Sequence, residues 1–146
     1  NTYERVRLVG ESVGIPFAFD KIQVQPNTLN THRLLGYAEQ HGRQQEVAEV
    51  LFNAYFIEGA NLTDVDTLAG IAKRGGLDEA AAKAYLASDA DREAVANADI
   101  QARQAGIGSV PFFIFNQAVA VSGAHEPETL LQAMLQSMQE RAKATG

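Results

Sequence analysis

The chain of 146 residues carries no cysteine and three histidines, His32, His41 and His125. The first count removes structural disulfides, thiolate nucleophiles and thiolate metal sites together. No two histidines stand four apart, so a zinc site would have to be assembled from scattered carboxylates, and no metal or other cofactor is expected. The residues that remain for chemistry are few. Asn27 follows Pro26 and has the type and place to cap a helix, because its side-chain oxygen can take up an amide that a first helical turn leaves orphaned. His32 falls on the expected inner face of that same helix. A histidine so placed is more often a satisfied core residue than an acid or base, although one ring nitrogen can bond a carbonyl while the other meets solvent.

The elements that must position these residues are read from period and punctuation. Val6, Val9 and Val13 share one face of a helix over Tyr3 to Val13, which stops at Gly14 and Pro16. Phe17, Phe19, Ile22 and Val24 form an extended link. Helices are expected over Thr28 to His41, Arg43 to Glu58, Asp64 to Arg74, Asp78 to Ala87, Ser88 to Ala105 and Pro127 to Arg141. Leu29, His32 and Leu35, with Leu34 and Ala38, are the inner face of the first of these. Phe52, Tyr55 and Phe56 read as core of the second. Thr63 to Asp66 has the form of a capping box with Asp in place of Glu, and Asp78 reads as a cap. The last helix opens on Glu126-Pro127-Glu128 and turns Leu130, Leu131, Met134, Leu135 and Met138 inward.

Between Gly106 and Gly123 the pattern changes to two short apolar runs, Phe112 to Phe115 and Ala118 to Val121, around the turn-sized Asn116-Gln117. A Phe-Phe-Ile-Phe strand is apolar on both faces, which suits a strand covered on both sides. A lone hairpin is marginal in water and leaves an open edge, so further strands are expected beside it from outside these 146 residues. Pattern alone also allows an all-α protein with one hairpin packed among its helices.

The balance of 12 Lys+Arg against 18 Asp+Glu gives a net charge of −6, and the basic residues form no stripe. Nucleic acid is therefore not an expected partner. No apolar run approaches the roughly 20 residues that span a bilayer, and the N-terminus lacks a basic start followed by an apolar stretch and a cleavage site. No membrane association is expected, and the expected compartment is the cytoplasm. Oligomeric state is left open.

Three stretches in order carry a resemblance: Gly106-Ile-Gly-Ser-Val-Pro-Phe-Phe-Ile-Phe-Asn with Ala120-Val-Ser-Gly-Ala, Pro26-Asn-Thr-Leu-Asn-Thr-His-Arg-Leu-Leu, and Leu51-Phe-Asn-Ala-Tyr-Phe-Ile-Glu-Gly. Together they resemble the DsbA-like branch of the thioredoxin superfamily, and within it the FrnE-like group, over nearly the whole chain. The fold class implied is mostly α with a small β-hairpin. Residues 1–105 would be a helical insertion and 106–146 the C-terminal part of a thioredoxin-like domain. The activity implied is thiol–disulfide exchange with a peptide or protein substrate, by a Cys-x-x-Cys that members carry in an N-terminal βαβ segment. These 146 residues hold no such motif, so the whole protein is expected to be an enzyme and this chain alone to be inactive. The resemblance also implies a cis bond before Pro111, with the Val110 backbone pairing with an extended substrate. Ser109, Val110 and Pro111 are thereby marked as substrate-binding, with Asn27 and His32 as further candidates; an Asn at the matching place lies near the thiol in glutathione-using relatives. Two other functions stay open. One is a glutathione-dependent isomerase or transferase of the 2-hydroxychromene-2-carboxylate isomerase and kappa-class type. Against it, Gly123-Ala124-His125 stands where such relatives tend to show Ser-Asp. The other is a cysteine-free binding module.

Overall fold

The computed structural model describes residues 2–144. The described chain is mostly helical, with seven α-helices and one two-stranded antiparallel sheet. It divides into two compact units, one up to Ala96 and one from Asn97, and the division falls inside a helix rather than at its end. No described helix is long and apolar enough to cross a membrane.

The first unit opens with α1 (Thr2–Ser12), followed by a link that holds a 3-10 turn over Phe19–Lys21 where an extended segment is expected. Helices α2 (Leu29–Gln40), α3 (Gln44–Asn53), α4 (Val65–Arg74) and α5 (Glu79–Ala87) enclose a core of Leu34, Ala38, Val47, Leu51, Leu68, Ile71 and Leu86 among others. The long helix expected to run to Glu58 changes pitch. Residues Ala54–Glu58 form a π turn, closed where the amides of Gly59 and Ala60 both reach the Ala54 carbonyl. A wider turn of this kind rotates the side chains after it. Ala54 stays buried and Tyr55 packs half-buried against the core as expected, whereas Phe56 is half-buried and Phe52, ahead of the π turn, is 63% exposed.

Caps were legible to within a residue. Asp78 takes the Ala81 amide at 2.7 Å, as read from the sequence. The cap of α4 is Asp64 rather than Thr63: its carboxylate accepts from both the amide and the hydroxyl of Thr67 at 2.8 Å. Those two bonds hold the Asp64 carboxyl below the usual carboxylate range. Helix α6 (Arg92–Gln104) starts later than expected, because Ser88 is extended and Asp91 sits at φ 56°. Ser88 turns back on itself there, donating to the Tyr85 carbonyl at 2.7 Å and accepting from the Ala90 amide at 3.1 Å.

Several exposed ion pairs join elements of the first unit, among them Lys83 with Asp66 and Arg74 with Glu58. Arg74 donates two bonds to Glu58 at 2.7 and 2.9 Å, joining the end of α4 to the π turn. The Arg74 guanidinium holds the Glu58 carboxyl below its ordinary range. A carboxyl depressed in the folded state stabilises above its unfolded pKa, and that contribution is lost as pH falls through the folded value. Glu58→Gln should therefore lower the urea midpoint at pH 7 by the equivalent of at most about 1 kcal/mol, since the pair is solvent-exposed. The difference from the parent should shrink steadily below about pH 4. A difference that persists unchanged at pH 2.5 would mean that the substitution acts through packing and not through charge.

In the second unit, β1 (Phe112–Phe115) pairs with β2 (Val119–Ser122) in the register Phe112 to Ser122 and Phe115 to Val119. The turn holds Asn116 and Gln117 at φ 51° and 58°, the left-handed pair that matches the twist of a tight hairpin. Helix α7 (Pro127–Ala144) packs on this hairpin. Its buried positions are Ala133 and Ser137, while Leu131, Met134, Leu135 and Met138, expected inside, are 44–61% exposed. Ser137 marks the face turned to the hairpin. Its hydroxyl donates to the Met134 carbonyl and accepts from Asn116 Nδ2 at 2.9 Å.

Candidate functional site

Helix α6 ends on Gly106 at φ 89°, where the Gly106 and Ile107 amides reach back to the Arg103 and Ala102 carbonyls. This left-handed glycine stop releases the chain into a short loop. The loop crosses Gly108 and Ser109 and enters β1 through Val110 and Pro111, joined by a cis peptide bond. Two contacts hold it against the end of β2. The Gly123 amide donates to the Pro111 carbonyl at 2.8 Å, and the Ser109 and Ser122 hydroxyls lie 3.1 Å apart. The turn after β2 is held in its own right by His125 Nε2, 2.9 Å from the Ser122 carbonyl. A carbonyl only accepts, so Nε2 is the nitrogen that carries the proton.

Val110 is left between these anchors, 87% exposed, and its amide and carbonyl have no hydrogen-bond partner among the described residues. Among the described residues β1 pairs only with β2. An exposed backbone segment with a free amide and carbonyl can pair with an added extended segment. The loop presents free backbone groups and carries no thiol. No group of three or more metal-ligating side chains exists among the described residues.

Ser109, Val110 and Pro111 are thus brought together on one edge of the second unit. Asn27 and His32 belong to the first unit. The Asn27 side-chain oxygen accepts the Leu29 amide at 3.0 Å, so its acceptor is engaged in starting α2. His32 is exposed and not on the inner face, which lies one residue further on at Arg33, Leu34 and Ala38. It stands with Pro26, Leu35, Phe52, Tyr55 and Phe56 around a cavity of about 340 Å³. Sequence reasoning missed Ser122, which reads only as the residue where an apolar run stops. Its contact to Ser109 crosses thirteen residues and leaves no local signal.

A family model of the DSBA-like thioredoxin domain matches residues 2–135. Among curated proteins, the uncharacterized protein YwbO of Bacillus subtilis (strain 168) is 28% identical over 123 residues, covering 82% of this chain and 60% of that protein. Among solved structures, a probable DsbA oxidoreductase from Streptomyces coelicolor superimposes with a TM-score of 0.81 at 27% identity, over 94% of this chain and 59% of the other. The chain spans about three-fifths of the length of each of these relatives. With a family model covering nearly its whole length and a helical fold closed by the hairpin described above, this chain belongs to the DSBA-like thioredoxin domain family.

Proposed function

We propose that these 146 residues supply the helical insertion and the substrate-holding edge of a FrnE-like thiol–disulfide oxidoreductase, whose redox dithiol is contributed from outside them. The observation that carries this reading is the exposed backbone of Val110, whose amide and carbonyl have no partner among the described residues, in a member of this family. An extended peptide bearing a disulfide would lie along Val110 by backbone hydrogen bonds. A thiolate from the dithiol would attack one substrate sulfur, forming a mixed disulfide and releasing the other sulfur as thiolate. The second dithiol sulfur would then attack the mixed disulfide, leaving the enzyme oxidised and the substrate reduced; the reverse sequence oxidises a substrate. None of these steps can start from this chain, which has no cysteine.

The test compares the 146-residue polypeptide with the full product of its encoding gene, in insulin reduction by dithiothreitol and in oxidation of a dithiol peptide. The expected result is no turnover above buffer by the 146 residues and exchange by a full product that carries Cys-x-x-Cys. Turnover by the short chain would overturn the reading. A full product with Ser in place of the first cysteine, active only with glutathione, would replace it by the isomerase or transferase alternative.

A further inference from the structure

We propose that the Ser109 and Ser122 hydroxyls form a clasp that sets the direction of the Val110 backbone, making them positioning residues for the extended peptide. This rests on the reading of Val110 as the substrate edge. Val110 is held from one side by the Pro111 carbonyl, which accepts from the Gly123 amide at 2.8 Å. That bond is backbone to backbone and survives any side-chain change. From the other side the chain reaches Val110 through Gly106, Ile107, Gly108 and Ser109. Gly106 and Gly108 have open space around them, with nothing within 4 Å of where a Cβ would stand. Within the loop itself the Gly108 amide meets the Gly106 carbonyl at 3.1 Å, and no bond of that kind reaches past Gly108. The contact that ties the segment beyond Gly108 to the hairpin is Ser109 Oγ to Ser122 Oγ at 3.1 Å. Without it, rotation about the two glycines would swing the Val110 amide relative to β1.

Ser122 is well placed to be the fixed half of the clasp. It closes β2 opposite Phe112, and its carbonyl accepts from His125 Nε2 at 2.9 Å. Its carbonyl is therefore held, and its chain neighbour Gly123 is bonded to Pro111, before its hydroxyl meets Ser109. One hydroxyl donates and the other accepts, so removal of either oxygen breaks the same bond, and removal of both costs no more.

The experiment uses Ser109→Ala, Ser122→Ala and the double variant, with Ser109→Thr as the conservative control that keeps a hydroxyl. In the 146-residue chain, backbone ¹⁵N relaxation at Gly108, Ser109 and Val110 reads the clasp independently of any activity. The order parameters of these residues should fall from the rigid toward the flexible range, on the order of 0.85 to 0.6, equally in the three Ala variants and not in Ser109→Thr. In the full gene product, each Ala variant should raise KM for a disulfide peptide about three- to tenfold through lost preorganisation, with a smaller change in kcat. Unchanged relaxation in the Ala variants would overturn the clasp. Looser relaxation with an unchanged KM would overturn its positioning role while leaving the substrate edge standing. A parent full product that performs no exchange would instead overturn the function on which the inference rests.

Discussion

Arg33→Met should destabilise the first unit by about 3 kcal/mol or more, since each buried carbonyl left without its donor costs about 1–3 kcal/mol. Arg33 is 0% exposed. Its Nε donates to the Ala90 carbonyl at 2.9 Å, and Nη1 donates to Asn30 Oδ1 and the Leu86 carbonyl at 2.9 and 3.2 Å. Nη2 donates to the Tyr85 and Ser88 carbonyls at 3.2 and 2.8 Å. No carboxylate is among these acceptors. The guanidinium is instead solvated by the negative end of α5 and the turn beyond it, with its carbon 5.2 Å from the Tyr85 ring centroid. Methionine keeps the stem and the volume but leaves the Leu86, Ser88 and Ala90 carbonyls without donors, while the Tyr85 carbonyl keeps the Ser88 hydroxyl. Lysine should rescue little, since a single ammonium cannot place donors across the spread of a planar fork. The measurement is urea unfolding followed by far-ultraviolet circular dichroism. Arg7 serves as the contrast: it pairs with Glu4 and Glu11 on the exposed side of α1, and Arg7→Met should leave the midpoint nearly where it was. An Arg33→Met loss no larger than that of Arg7→Met would show that the turn after α5 holds itself.

The consequence extends beyond stability. The Ser88 to Asp91 turn is where α6 begins, and Arg33 holds its first carbonyls in place. The neighbouring Tyr85 hydroxyl donates to Asp91 at 2.8 Å, and burial raises the pKa of that phenol, which keeps it protonated and donating. Arg33 thus organises the root of α6 within the first unit, the helix whose far end releases the Gly106 to Pro111 loop.

Much of this was legible in the sequence, and what escaped shares a physical cause. Helix stops at Gly14, Gly42 and Gly59 and the cap at Asp78 are local, set by residues a few positions apart, and they stand where the punctuation puts them. The hairpin was legible for the same reason, shifted by one residue in β2. Arg33 was not, because a charged residue between Leu29 and Leu34 reads as solvent-facing. The carbonyls that draw it inward belong to residues more than fifty positions later. On α7 the small edge of Ala133 and Ser137 faces the hairpin, with Ser137 reached by Asn116, a distant polar contact that an apolar stripe does not announce. At the candidate site, the loop motif pointed to Val110 and Pro111, while Ser122 gained its place only when β2 paired with β1.

Gly59 carries more than the helix stop that the sequence shows, and Gly59→Ala should cost about 2–5 kcal/mol. At φ 76° any L-residue meets the left-handed penalty of about 1–2 kcal/mol. A Cβ at Gly59 would also stand 2.5 Å from Lys21 Cβ and 2.7 Å from the Lys21 carbonyl oxygen. Backbone atoms cannot step aside by changing rotamer, so the 3-10 turn at Phe19–Lys21 would have to lift away. That segment is held to the π turn by the Ala18 amide on the Phe56 carbonyl at 2.8 Å, and by Phe17 and Phe19 packed edge-on against Phe56. Gly42 supplies the internal comparison: its φ is 66°, and nothing lies within 4 Å of its would-be Cβ. Gly42→Ala therefore isolates the backbone penalty, and the excess loss in Gly59→Ala, about 1–3 kcal/mol of overpacking, measures the contact with Lys21. The same displacement should weaken the near-ultraviolet dichroism of the aromatic cluster in Gly59→Ala and spare it in Gly42→Ala. Equal midpoints and equal aromatic signals in the two variants would show that the link before α2 yields freely, and that the close approach of Lys21 to Gly59 does not hold the aromatic cluster in place.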